Sequence, residues 1–144
     1  GTTVADGVSV STSYKLGDTV ITGITPGTGA SSVLANISAG SGTVKVLKAD
    51  GTENTGAVGT GNKIAVYANG TLVKQYDVVI YGDINGDGKI SVVDLVMMQK
   101  QILGTSQLSG AYAAAADISR DGKVSVKDLV LLQKHIINAA QIEQ

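Results

Sequence analysis

The sequence predicts an α+β chain. A small, mostly antiparallel β module with one short helix spans residues 1–81, and a three-helix module spans residues 82–144. Three observations carry this expectation. Residues 1–81 hold 12 of the 13 Thr and 13 of the 19 Gly, the composition of short strands split by turns. After residue 82 the apolar period lengthens to that of a helix. Residues 83–104 and 117–138 then align at an offset of 34, with 13 of 22 positions identical, as expected of a repeated supersecondary unit.

In the first module Thr, Val and Ile runs predict strands over 8–14, 19–24, 43–49, 63–68 and 71–81. Asn69-Gly70 falls between the last two and supplies the two positive-φ positions of a tight hairpin. Asp50-Gly51 is a second turn signal. Residues 26–37 break the pattern. Ser31 or Ser32 could cap a short helix there that buries Val33, Leu34 and Ile37. In the second module each repeat is a polar loop followed by an apolar helix, and an Ala-rich stretch over 108–116 predicts a connecting helix.

Composition narrows the function. The chain has 144 residues, 11 basic and 12 acidic, for a formal net charge of −1. That leaves no electrostatic footprint for nucleic acid or anionic membrane. There is no Cys and a single His, which excludes disulfides, thiolate metal sites, Cys nucleophiles and multi-His zinc sites. No apolar run reaches the length of a membrane span. No signal peptide is seen and the chain opens on Gly, so it reads as a piece of a longer protein.

The repeated loops are DINGDGKISVVD, residues 83–94, and DISRDGKVSVKD, residues 117–128. Both have the spacing of a twelve-residue calcium loop. The expected ligands are Asp83, Asn85, Asp87, Lys89, Ser91 and Asp94 in the first, and Asp117, Ser119, Asp121, Lys123, Ser125 and Asp128 in the second. Calcium takes six to eight oxygens at about 2.3–2.6 Å, so hard oxygen donors must converge. Lys89 and Lys123 would contribute only their carbonyls, and Gly88 and Gly122 make the sharp turn. Six of the ten Asp lie in these 24 positions and would repel one another without a cation. Two Ca2+ ions are therefore expected. Position 12 is Asp rather than Glu in both loops, which should weaken discrimination against magnesium. Position 3 is Ser119 in the second loop, so the second site is expected to be the weaker.

A full EF-hand is helix, loop, helix. Here residues 76–81, YDVVIY, read as a strand, so only the exiting helix accompanies the first loop. Half-hands of this kind cannot open an interhelical angle as a sensor does. Loop plus exiting helix, twice, resembles the dockerin family, from Gly82 to about Asn138. The likeness includes Leu95 and Leu129, Lys100 and Lys134, and the linker SGAYAAAAD. The resemblance implies a non-catalytic, calcium-dependent adaptor of a bacterial cellulosome or cell-surface protein, secreted or surface-attached. It also implies a cohesin module as partner. The first module resembles more loosely the β-rich X modules that precede some dockerins.

On a helical wheel Val92, Met98 and Ile102 fall within about 60° of Leu95 and form a core-facing stripe. Val93, Val96, Met97 and Lys100 occupy about 100–200°, as do Lys127, Val130, Leu131 and Lys134 in the second copy. A second apolar face is a candidate partner surface. The dockerin resemblance adds loop positions 10 and 11, which are Val92, Val93, Val126 and Lys127. A second functional reading is a calcium-stabilised surface module whose β unit binds polysaccharide through Tyr14, Tyr67, Tyr76 or Tyr81; the absence of Trp and Phe argues against it. No constellation for catalysis is found. His135 has no triad context, Tyr112 reads as packing, and the Gly-x-Gly runs at 27–29 and 59–61 read as turns. Asn36-Ile37-Ser38 and Asn69-Gly70-Thr71 are weak glycosylation sequons.

Overall fold

The structure, a computed structural model, describes residues 2–5, 8–138 and 140–144. The element order is β1 (Thr2–Ala5), β2 (Val8–Thr12), β3 (Lys15–Leu16), β4 (Val20–Thr22), α1 (Ala30–Ala35), β5 (Ile37–Ser38), β6 (Thr43–Leu47), β7 (Lys63–Ala68), β8 (Thr71–Val78), α2 (Val92–Leu103), α3 (Gly110–Ala116) and α4 (Val126–Ile136). The architecture is α+β, with the strands and α1 first and three helices after them.

The strands form two sheets, one of order β1-β2-β5 and one of order β3-β4-β8-β7-β6. β2 shows the two-residue period that buries one face: Val8 and Val10 are inside, while Ser9 and Ser11 face out. β7 and β8 form the hairpin expected at Asn69-Gly70, whose φ values are 53° and 80°. Ile64, Val66, Tyr76 and Val78 from this hairpin join Ile21, Ile24 and Val33 in the first apolar cluster, which draws on residues 8 to 80.

Several details depart from the sequence reading. The pairing of β4 with β8 is parallel. β3 and β5 are two-residue strands that no run of β-formers announces, and β1, Thr-Thr-Val-Ala, is a further strand outside the expected set. β8 ends at Val78, although Val79 and Ile80 stay fully buried. Helix α1 starts at Ala30 with Gly29 at its N-cap and no side-chain cap, so neither Ser31 nor Ser32 caps it. The bridge of Gly29 to Ala57 and the Ala30 N–H to Gly56 carbonyl bond fix that start instead. Val33 is buried as expected, Leu34 partly, and Ile37 is buried from β5.

The three later helices share a second apolar cluster built on Ile84, Met98, Ala116, Ile118 and Leu132. Ile90 and Val124, at position 8 of the two loops, pack on its edge. α2 ends on Gly104 in the left-handed region, φ 78°. Its counterpart one repeat later, Asn138, takes φ 61°, so both copies stop by the same device.

No linker separates the two clusters. Gly82 donates its N–H to Ala115, and the Gln144 side chain exchanges two hydrogen bonds, of 2.6 and 2.8 Å, with the Tyr81 backbone. The Arg120 guanidinium stacks 4.0 Å from the Tyr81 ring centroid. No helix among the described residues is long and apolar enough to cross a membrane.

Candidate metal centre and docking face

Two carboxylate triads are brought together by the repeat. Asp83, Asp87 and Asp94 each offer an oxygen within 4.8 Å of the others, and so do Asp117, Asp121 and Asp128. In each loop the third carboxylate comes from the first turn of a helix. Asp94 completes a capping box: its Oδ2 accepts the Ser91 N–H at 2.8 Å and its Oδ1 accepts Ile84 and Asn85. Asp128 repeats this with the Ser125 and Ser119 N–H groups. Position 12 therefore ties loop to helix as well as facing the triad, a second role that spacing alone did not reveal. Shorter Asx turns order the rest, with Asn85 accepting from Asp87, Asp87 from Lys89, and Asp121 from Lys123. The Lys89 and Lys123 side chains are exposed. Ser91 Oγ accepts the Val93 N–H as an N-cap.

The donor set suits a hard cation. Asp83, Asp94 and Asp128 are fully buried. Among the described residues Asp83 Oδ1 has no hydrogen-bond partner, while Oδ2 accepts two N–H groups. A buried carboxylate oxygen with no partner carries a large desolvation cost that a bound cation would remove. Burial pushes the Asp83 carboxyl up to about 6, against the pull of the Thr60 and Gly88 N–H groups, and the Asp94 charge pushes the same way. Burial also raises Asp94. On the exposed rim Asp121 is lowered, chiefly by the Lys123 N–H.

This predicts an unusual pH response of the calcium-depleted chain. An acid whose folded pKa is raised from 3.8 to about 6 stabilises the fold below that range and loses the contribution as pH rises through it. The contribution lost is on the order of 2–3 kcal/mol. Chemical denaturation without calcium should therefore show the helical unit more stable at pH 5 than at pH 7. Saturating calcium should remove or reverse that trend, because the ion compensates the charge. Equal or greater stability at pH 7 without calcium would contradict the prediction.

The helices place the other expected residues. Val92, Val93 and Val96 on α2 are 58%, 54% and 41% exposed, and Val126 and Val130 on α4 are 60% and 39% exposed. Lys100, Lys127 and Lys134 are exposed beside them. Met97 and Leu131 are half-buried against the second cluster. Of the stripe expected to face the core, Met98 is fully buried and Leu95 and Ile102 pack on the cluster, but Val92 faces solvent. It sits at the first position of α2, before the helix reaches the opposite one. Two residues were missed: Leu103 and Ile137, 76% and 71% exposed. They occupy equivalent positions of the repeat, and extending the wheel by two turns would have aligned them with Val96 and Val130.

Residues 81–137 match the family described as the dockerin type I domain. This segment is a dockerin. No curated protein matches the chain. Two solved structures from Acetivibrio cellulolyticus are similar to it. Both are complexes of the third cohesin ScaC with the ScaB dockerin displaying a type I interaction, one with an IN to SI mutation in the N-terminal helix and one with it in the C-terminal helix. The first is 25% identical with a TM-score of 0.43, covering 45% of this chain and 92% of that one. The second is 26% identical with a TM-score of 0.41, covering 45% of this chain and 96% of that one. A dockerin is a non-catalytic, calcium-binding module, and the match covers both carboxylate triads and both exposed helix faces.

Proposed function

We propose that the chain is a non-catalytic adaptor that docks its parent protein onto a cohesin module, with residues 1–81 as an X-like module and residues 82–144 as the dockerin unit. The observation that carries this reading is a pair of repeat-related helices, each showing solvent an unpaired apolar stripe beside a carboxylate triad. On α2 the stripe is Val92, Val96 and Leu103, with Val93 and Lys100 at its margin; on α4 it is Val126, Val130 and Ile137, with Lys127 and Lys134. A module this small gains nothing from exposing such stripes unless a partner covers them.

Two Ca2+ ions fit the triads. Asp83, Asn85, Asp87, the Lys89 carbonyl, Ser91 and Asp94 would hold one. Asp117, Ser119, Asp121, the Lys123 carbonyl, Ser125 and Asp128 would hold the other. Calcium supplies charge compensation that locks each loop onto its exiting helix, and so sets the spacing of α2 and α4. The second loop, with Ser119 at position 3 and Asp117 only half-buried where Asp83 is fully buried, is the weaker site. A secreted or cell-surface parent protein of a bacterial polysaccharide-degrading system suits such a module. Tyr76 is buried, which removes one aromatic from the alternative in which the β module binds polysaccharide.

Pull-down against a panel of cohesins, with and without chelator, tests this reading. Calcium-dependent capture by at least one cohesin is expected. Capture by none, with polysaccharide binding by the full chain instead, would favour the alternative.

A further inference from the structure

The two calcium loops are near-copies in sequence but not in surroundings. In loop two, Asp117 Oδ2 accepts one N–H, from Gly122 at 2.9 Å, and a Cβ built on Gly122 would meet nothing within 4 Å. In loop one, Asp83 Oδ2 accepts the equivalent bond from Gly88 at 3.0 Å and a second from the Thr60 N–H at 2.9 Å. Thr60 belongs to the β module, 23 residues upstream of Asp83. Gly27, also in the β module, donates its N–H to the Gly88 carbonyl at 2.9 Å.

The fit around these bonds leaves no room for side chains. A Cβ on Gly59 would lie well inside contact distance of the Gly86 carbonyl, and one on Gly86 well inside contact distance of the Thr60 carbonyl. A Cβ on Gly88 would lie 2.9 Å from the Val58 carbonyl. Gly86 and Gly88 both have positive φ, 78° and 82°. The strand-free segment 57–60 and the calcium loop thus pack backbone to backbone. Thr60 is further anchored through its hydroxyl, which accepts from the Ile80 N–H at 3.0 Å. Val58 is fully buried in the first apolar cluster.

From this we infer that the β module is a built-in positioning element for the first calcium site: residues Gly27, Gly59 and Thr60 hold loop one in its binding geometry and orient Asp83, while loop two, which meets the β module through the Arg120 side chain on Tyr81, orders its own backbone. The inference rests on the calcium reading above. Its physical basis is preorganisation. Ordering a loop before the ion arrives removes that entropic cost from binding. The Thr60 N–H also orients Asp83, so that its unpartnered Oδ1 is the oxygen left for the ion. Linkage makes the effect reciprocal: calcium at site one must tighten the β module by the same factor by which the β module tightens calcium. The two sites then fill in a set order, site one first, and only site one reports on the state of the β module.

Calorimetric titration of the calcium-depleted full chain with calcium tests this. Two steps are expected, assigned by Asp83→Asn and Asp117→Asn. Gly59→Ala should weaken the site-one step about tenfold and leave the site-two step within about twofold, a coupling in the ordinary range. A second measurement needs no variant of the clamp. Amide hydrogen exchange at Gly27 and Thr60 should slow on calcium addition in the native sequence and in Asp117→Asn, but not in Asp83→Asn. Equal weakening of both steps by Gly59→Ala, or no weakening, would overturn the inference. So would exchange at Gly27 and Thr60 that ignores calcium or responds to it equally in both Asp variants. Absence of any calcium binding would instead overturn the metal reading on which it rests.

Discussion

In calcium chelator the C-terminal helical unit should melt at a much lower temperature and lose part of its helical circular dichroism, while the transition of the β module survives. Millimolar calcium should restore both signals. Residues 82–144 are near the size at which an apolar core alone is marginal and a metal staple is usual. Among the described residues their second cluster has five fully or nearly buried apolar side chains at its centre. The same unit buries Asp83, Asp94 and Asp128 completely, and without a cation each must be desolvated or protonated. Each calcium ion present at about a thousand times its dissociation constant adds about 4 kcal/mol, comparable to the whole stability of a unit this small. The β module has its own cluster of 16 buried residues among those described and so keeps a transition of its own without the ion. An unchanged melt of the C-terminal unit in chelator would refute the expectation.

The second large effect concerns the docking face. Against a cohesin with an apolar plateau, Val96→Asp should cost about 2–4 kcal/mol of affinity, the range for a central interface residue, and Leu103→Asp should behave alike. Val130→Asp and Ile137→Asp should cost much less. The reason is the one charged difference between the two faces: Val93 of α2 is replaced by Lys127 in α4. Covering that ammonium with the apolar margin of a partner would cost up to several kcal/mol unless an acid met it. Met97 and Leu131 are unsuitable probes, because their half-burial against the core confounds docking with folding. Calorimetric titration of both sets against one cohesin decides between the faces. Equal losses would mean that both helices contact the partner together or that two orientations are equally populated. A larger loss from α4 would assign the face to that helix.

What the sequence could determine by itself was local and periodic. Asn69-Gly70 implied its hairpin because only positive-φ residues fit that turn. The loops at 83–94 and 117–128 implied their triads because ligand spacing within twelve residues is set by the chain itself. The core stripe Leu95, Met98 and Ile102 follows from helical period. What only the tertiary structure decided were relations between distant segments. β3 and β5 are two residues each and exist through their neighbours' ladders, so no intrinsic propensity marks them. The parallel register of β4 on β8 depends on the crossover between them. The start of α1 is fixed by the bridge to Ala57 rather than by a capping side chain. Gly59 looked like an ordinary turn glycine, yet what it accommodates is the Gly86 carbonyl of the calcium loop. The asymmetry between two nearly identical loops likewise arises from Thr60, which contacts one of them and lies 23 residues away from it in sequence. Spacing along the chain sets which ligands a loop can offer; packing across the chain sets how firmly they are held.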